Sequence, residues 1–180
     1  MKITITGTPG SGKSTLGKDL AKHLNYKFFS GGDMRRRMAQ DHQMTLAEFN
    51  ELGEKEDWTD KELDAYIAKY GRENDDFVVE ARLGWHFIPD SVKVFLDADE
   101  KERARRMLPR NLPEENFQNL KDVISGNKKR VKSDVKRYKK YYKLDPYDKK
   151  HYDIVIDSTG KKPSEVLNEI IEALPQSLKE

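Results

Sequence analysis

The octapeptide Gly7-Thr8-Pro9-Gly10-Ser11-Gly12-Lys13-Ser14 limits what this chain can fold into more than any other stretch. It satisfies G-x-x-x-x-G-K-[ST] in the required setting, with the β-branched run Ile3-Thr4-Ile5 before it and an amphipathic helical pattern after it. Glycines let the backbone curl so that successive N–H groups point inward at phosphate oxygens, and the start of the helix adds positive potential. Larger side chains would obstruct that approach. Gly7, Thr8, Pro9, Gly10, Ser11, Gly12, Lys13, Ser14 and Thr15 are therefore expected to hold the phosphates of ATP. Lys13 should reach the β- and γ-phosphates, and the Ser14 hydroxyl should ligate Mg²⁺.

A loop of this kind needs a parallel sheet behind it. Short runs of β-branched and aromatic residues predict strands at 2–6, 27–30, 77–80, 92–96 and 153–156. Helical patterns separate most of them. Leu16, Leu20, Ala21 and Leu24 share one face of a helix after the loop, and Val166, Leu167, Ile170, Ile171 and Leu174 share one face near the C-terminus. This alternation specifies an α/β fold with a doubly wound five-stranded parallel sheet. Two stretches are longer than crossovers require. Residues 31–74 should hold about three short helices, one opened by a capping box at Thr45 and Glu48, and residues 99–152 are rich in arginine and lysine. In such folds ligands bind beyond the carboxyl ends of the strands, where insertions cover them.

At 180 residues the chain suits one domain, expected to act as a monomer. The 34 basic and 32 acidic side chains nearly cancel, so total charge draws it to neither nucleic acid nor membrane. The absence of cysteine excludes disulfides, thiolate metal sites and cysteine nucleophiles and suits the cytoplasm, while the four histidines lack metal-ligand spacing. No apolar run is long enough to span a bilayer, and the N-terminus reads as a strand instead of a signal peptide.

Water, proteins and small molecules all accept phosphoryl groups from such loops. An N-K-x-D base-reading motif is missing, since Asn127-Lys128-Lys129-Arg130 lacks the aspartate, and a motor would need more chain. A small-molecule kinase remains. Its acceptor must be held in line with the γ-phosphate while water is excluded. Glu80, at the tip of the third strand, can hold water on Mg²⁺, and Arg82 faces the cleft, suited to an acceptor phosphate. Arg103, Arg106 and Arg110 share one face if their segment is helical, and a lid could bring them onto the transferring group. In residues 128–143, Val131, Val135, Tyr138 and Tyr142 form an apolar stripe beside a polar one of Arg130, Ser133, Asp134 and Arg137. Arg130 and Arg137, two turns apart, would enter the cleft from its border, with Asp134 orienting one of them, and loss of Arg137 should spare the fold. The remaining lysines read as a solvated face instead of a nucleic-acid surface.

The ordered set of motifs resembles the archaeal-type cytidylate kinases of the nucleoside monophosphate kinase superfamily. It comprises the P-loop, Phe29-Ser30-Gly31-Gly32-Asp33 with Arg36, Met44-Thr45-Leu46-Ala47-Glu48-Phe49, Lys61-Glu62-Leu63-Asp64 and Val79-Glu80-Ala81-Arg82-Leu83. Arg130, Ser133-Asp134, Arg137-Tyr138 with Tyr142, and Tyr152-Asp153-Ile154-Val155-Ile156 complete it. The resemblance implies transfer from ATP with Mg²⁺ to CMP or dCMP. It implies a core of residues 1–30, 75–104 and 128–180, a monophosphate-binding insertion at 31–74 and a lid at about 105–127. It places Ser30, Asp33, Arg36, Glu80 and Arg82 around the acceptor, and Lys13, Arg106, Arg110, Arg130 and Arg137 around the transferring group. The family's usual glycine is replaced by Ala81, its acidic residue by Val131, and its arginine-glutamate pair by Arg110-Asn111-Leu112-Pro113. Two alternatives stay open: a kinase for another small acceptor such as AMP, UMP or a metabolite, and a nucleotide-dependent RNA-binding protein.

Overall fold

The computed structural model describes residues 1–110 and 117–175. Its sheet has five parallel strands, β1 (Lys2–Gly7), β2 (Lys27–Ser30), β3 (Phe77–Glu80), β4 (Val92–Asp97) and β5 (Ile154–Asp157), in the order β2-β3-β1-β4-β5. The expected doubly wound sheet is present. Its first strand is central, so the loop that follows opens where strand order diverges to either side, the usual place for a ligand crevice. The one shifted strand start has a local cause. Asp153 sits outside β5 because its carboxylate accepts from the Lys93 amide at 2.9 Å while its own amide donates to the Lys93 carbonyl.

Alternation along the strands divides the core. Ile3, Ile5, Val78, Val94, Leu96 and Ile156 face α1 (Lys13–Leu24) and α8 (Pro163–Ala173), whose Leu16, Leu20, Val166 and Ile170 cover them. Phe77, Val79 and Ala81 face the other way, onto α2 (Gly31–Asp41), α3 (Leu46–Lys55) and α4 (Trp58–Glu73), which supply Met38, Phe49, Leu63 and Ile67. A short helix, α5 (Gly84–Phe87), leads into β4. Beyond β4 come α6 (Glu100–Met107), a 3₁₀ turn at Leu108–Arg110, and the long α7 (Leu120–Tyr142). Phe95, Leu83, Trp85 and Tyr152 pack with Tyr138 of α7.

The helix starts are those the residues encode. Thr45 and Glu48 form the expected capping box on α3. Asp99 opens α6 and Asn119 opens α7, each accepting two backbone amides. In contrast, α1 begins at Gly12 with no side-chain cap and no acidic residue in its first turn, so its free amides and dipole stay available to an anion.

Candidate active site

The phosphate-loop backbone is held from outside itself. Gly7 has φ 153°, and a Cβ there would lie 1.9 Å from the Leu96 carbonyl oxygen, so only glycine lets β1 pass β4 this closely. Gly12 adopts φ 98° and turns the chain into α1. The Thr8 hydroxyl donates to Asp97 at 2.9 Å. Arg103 of α6 donates to the carbonyls of Ala98 (2.9 Å) and Pro9 (3.4 Å). Arg106 donates to the Ser11 carbonyl at 3.2 Å and to Ser158 Oγ and O at 2.9 and 2.6 Å.

These contacts correct the expectation that Arg103, Arg106 and Arg110 share one helical face. Helix α6 stops at Met107 and Arg110 lies in the following 3₁₀ turn, so only Arg103 and Arg106 share a helical face. Arg103 braces the loop. Arg106 lines a hollow on the outer side of the loop with Ser11, Gly12, Thr15 and Ser158, and exposed Arg110 lines both this hollow and the main cleft.

The main cleft runs from Pro9, Gly10, Lys13 and Ser14 past Ser30, Arg36, Glu80 and Arg82 to Arg130 and Arg137, and ends against Leu63, Asp64 and Ile67 of α4. Asp33 is not among its lining residues. It is exposed and pairs with Arg36 at 3.0 Å, and its contribution is a backbone amide that donates to the α2 cap, Ser30 Oγ. Ser30 serves twice, because the same hydroxyl donates to Glu80 Oε2 at 3.2 Å.

Charged groups line this cleft in an alternating row. Lys13, deep in the loop, donates to the Thr8 carbonyl at 2.8 Å, and burial, with Arg82 next in weight, pushes its ammonium down to about 7. Beside it Glu80 accepts from Ser14 Oγ at 2.7 Å. Burial alone would raise the Glu80 pKa, but Lys13 and the Ser14 hydroxyl hold it below the usual value. Arg82 Nε donates to Asp134 Oδ2 at 2.7 Å, Arg137 Nη2 donates to Asp134 Oδ1 at 2.7 Å, and Tyr147 also donates to Asp134. Against strong desolvation, the guanidiniums of Arg82 and Arg137 keep Asp134 far below the carboxylate range. Arg137 Nε lies 3.2 Å from Asp60 Oδ2, and Arg35 Nη1 donates to Asp60 Oδ1 at 2.8 Å. Asn50 accepts from both Arg35 and Arg137.

Arg137 therefore lines the cleft as its sequence spacing suggested, but from within the core instead of from an exposed border. It is 1% exposed, among the largest fully buried side chains, and the expectation that its loss spares the fold is withdrawn. The buried face of α7 is centred on Asp134, Arg137 and Tyr138, while Val131 and Val135 are only half-buried. Asp134 orients two arginines instead of one. The exposed Lys128 and Lys136 of the same helix pair with Glu100 and Glu54.

Arg35, Asn50, Asp60 and Asp64 belong to this constellation, and the sequence assigned none of them a role, although Asp64 stands in the Lys61-Glu62-Leu63-Asp64 motif. The last two carried a signal: Asp60, Leu63, Asp64 and Ile67 recur at helical spacing, which puts two acids on a buried apolar face. Glu80 and Ser14 offer adjacent oxygen donors at the mouth of the loop. That set suits Mg²⁺, which takes oxygen ligands, keeps several waters and needs one or two protein groups besides substrate phosphates. Of the expected lid at 105–127, residues 111–116 lie outside the described residues, and 120–127 form the opening turns of α7.

Residues 2–160 match the sequence profile of the cytidylate kinase-like family. A cytidylate kinase of Halobacterium salinarum is 38% identical over 176 residues, covering 97% of this chain and 89% of the relative. The cytidylate kinase of Haloarcula marismortui is 37% identical over 177 residues, with the same coverage. Among solved structures, a gluconokinase from Sinorhizobium meliloti superposes with a TM-score of 0.62 at 18% identity, covering 99% of this chain and 93% of that one, a likeness of fold.

Proposed function

The chain belongs to the cytidylate kinase-like family, and from that premise we propose that it transfers the γ-phosphoryl group of ATP to CMP or dCMP, giving ADP and the cytidine diphosphate. One observation carries the reading. A phosphate loop and a helical insertion, α2 to α4, face each other across a single cleft whose walls supply Lys13, Arg36, Arg82, Arg110 and Arg130. A hydrolase needs no such second wall of cations.

In this reading the core of residues 1–30, 75–104 and 128–180 carries the donor. The insertion at 31–74 carries the acceptor. The amides of residues 10–15 and Lys13 hold the β- and γ-phosphates, at a helix start that has no side-chain cap and no acidic residue in its first turn. Mg²⁺, when bound through Ser14 and, by way of water, Glu80, would offset charge on the β- and γ-oxygens. Arg36 and Arg82 position the acceptor phosphate, with Asp134 fixing the plane of the Arg82 guanidinium. Arg110 and Arg130 meet the charge that spreads over the transferring group. Arg106, held by Ser11 and Ser158, acts on the donor side by keeping the loop in shape. No general base is required, because a phosphate acceptor is already anionic.

The test is an acceptor panel scored by ADP formation with ATP and Mg²⁺. CMP and dCMP should raise ADP release at least tenfold over ATP alone and exceed AMP and UMP. No turnover of CMP and dCMP above background, with turnover of another acceptor, would overturn the assignment. Salt-dependent RNA binding that survives Lys13→Ala, without monophosphate turnover, would favour an RNA-binding protein instead.

A further inference from the structure

The alternating row of charges has a direction that phosphate chemistry does not use. Its basic end is at Lys13 and Arg82. At the other end, past Arg35 and Asp60, lies Asp64, 3% exposed and lining the cleft between Leu63 and Ile67. Tyr142 stands beside this carboxyl group, yet among the described residues Oδ2 has no hydrogen-bond partner. Burial, together with Asp60 one turn before it, makes the negative charge costly here. A buried acceptor without a donor is uncommon in folded proteins and calls for an explanation.

A donor brought by the ligand supplies one. The acceptor's phosphate is unsuitable because it is anionic. Leu63, Ile67 and Tyr138 give this end of the cleft apolar flanks that fit a planar ring, with a polar group at one edge to orient it. Resting on the cytidylate reading, we propose that Asp64 accepts a hydrogen bond from the 4-amino group of the acceptor's cytosine ring and thereby sets the choice of base. Aspartate is a natural partner for that amino group. Uracil would present a keto oxygen to the Asp64 oxygen, leaving two acceptors opposed, and a site built around a donor rejects the analogue that lacks it.

The decisive comparison is between CMP and the 5′-monophosphate of pyrimidin-2-one riboside, which is the same nucleotide without the 4-amino group. Unaltered protein should use the analogue roughly ten- to a hundredfold less well in kcat/KM, chiefly through KM, with KM for ATP unchanged. Asp64→Leu should lower CMP to the level of the analogue and leave the analogue where it was. Asp64→Asn keeps a carbonyl acceptor and should restore part of the preference. A purely structural role would lower both nucleotides together, and that result overturns the proposal. So does equal use of CMP and the analogue by the unaltered protein, a measurement that stands even where a variant fails to fold. An altered CMP-to-dCMP ratio in Asp64→Leu, with the amino preference intact, would place the carboxyl at the sugar and overturn it as well. Failure to phosphorylate any cytidine monophosphate would instead refute the cytidylate reading.

Discussion

Arg137→Ala should damage the fold before it damages catalysis, and the structure gives the scale. The side chain is 1% exposed and pairs with Asp134 at 2.7 Å and Asp60 at 3.2 Å, both buried. Removing one partner of a buried pair leaves uncompensated charge and costs about 3–5 kcal/mol. In a chain of this size each kcal/mol lowers Tm by about 2–4 °C, so a fall of about 12 °C is expected at pH 7. The penalty should also depend on pH. Asp134 titrates far below its unfolded value, so its pairing stabilises the wild type above about pH 4 and is lost as pH falls through the folded pKa. In the variant, both carboxylates protonate more readily, and the gap in Tm should narrow between pH 7 and pH 4. Thermal melting across that range, with Asp60→Asn alone and combined with Arg137→Ala, provides the assay. The double variant should be more stable than the sum of the single losses. A Tm loss under 3 °C at pH 7, or strict additivity, would refute the buried-pair reasoning.

Lys13 offers a test without mutation. Its ammonium is depressed to about 7, so at pH 8 it is largely neutral, and a bound triphosphate would favour the charged form. ATP binding at pH 8 should take up about one proton and clearly less at pH 6. Titration calorimetry in two buffers of different ionisation enthalpy measures this, and no uptake at pH 8 would remove Lys13 from the phosphates. Glu80→Gln should raise the Mg²⁺ concentration for half-maximal activity by roughly ten- to a hundredfold. An unchanged Mg²⁺ dependence would assign Glu80 to capping Ser14 and Ser30 alone.

The sheet and the phosphate loop were legible in the sequence because their signals are local. Ile3-Thr4-Ile5 reads as a buried strand by itself, and the glycine spacing of the loop reports its backbone directly. The acceptor side was less legible because its side chains meet across helices far apart in sequence. Arg35 touches Asn50 and Asp60, and Arg137 reaches Asp60 from more than seventy residues away. Hydrophobic periodicity also misled at α7. It assigned the buried stripe to Val131 and Val135, although the helix turns Asp134 and Arg137 inward, where each neutralises the other. A pattern that counts only apolar residues cannot find a core built partly of ion pairs. Arg106 illustrates another limit, since its partner Ser158 follows β5, and only the order of strands shows that β5 lies next to β4.

The bracing of the phosphate loop bears on its portability. Gly7 passes the Leu96 carbonyl too closely for any Cβ, and a Cβ at Gly10 would meet the Arg103 carbonyl at 2.8 Å and Met107 Sδ at 2.9 Å. Ser11 and Ser158 are joined through Arg106 and through a direct bond from Ser158 Oγ to the Ser11 carbonyl at 3.0 Å. The octapeptide is thus a short sequence with a long specification. Grafted alone between another strand and helix, Gly7 to Ser14 would carry its chemistry but not its shape, whereas a transplant that also carried Leu96, Arg103, Arg106 and Ser158 in their places would bring the mould along with the cast.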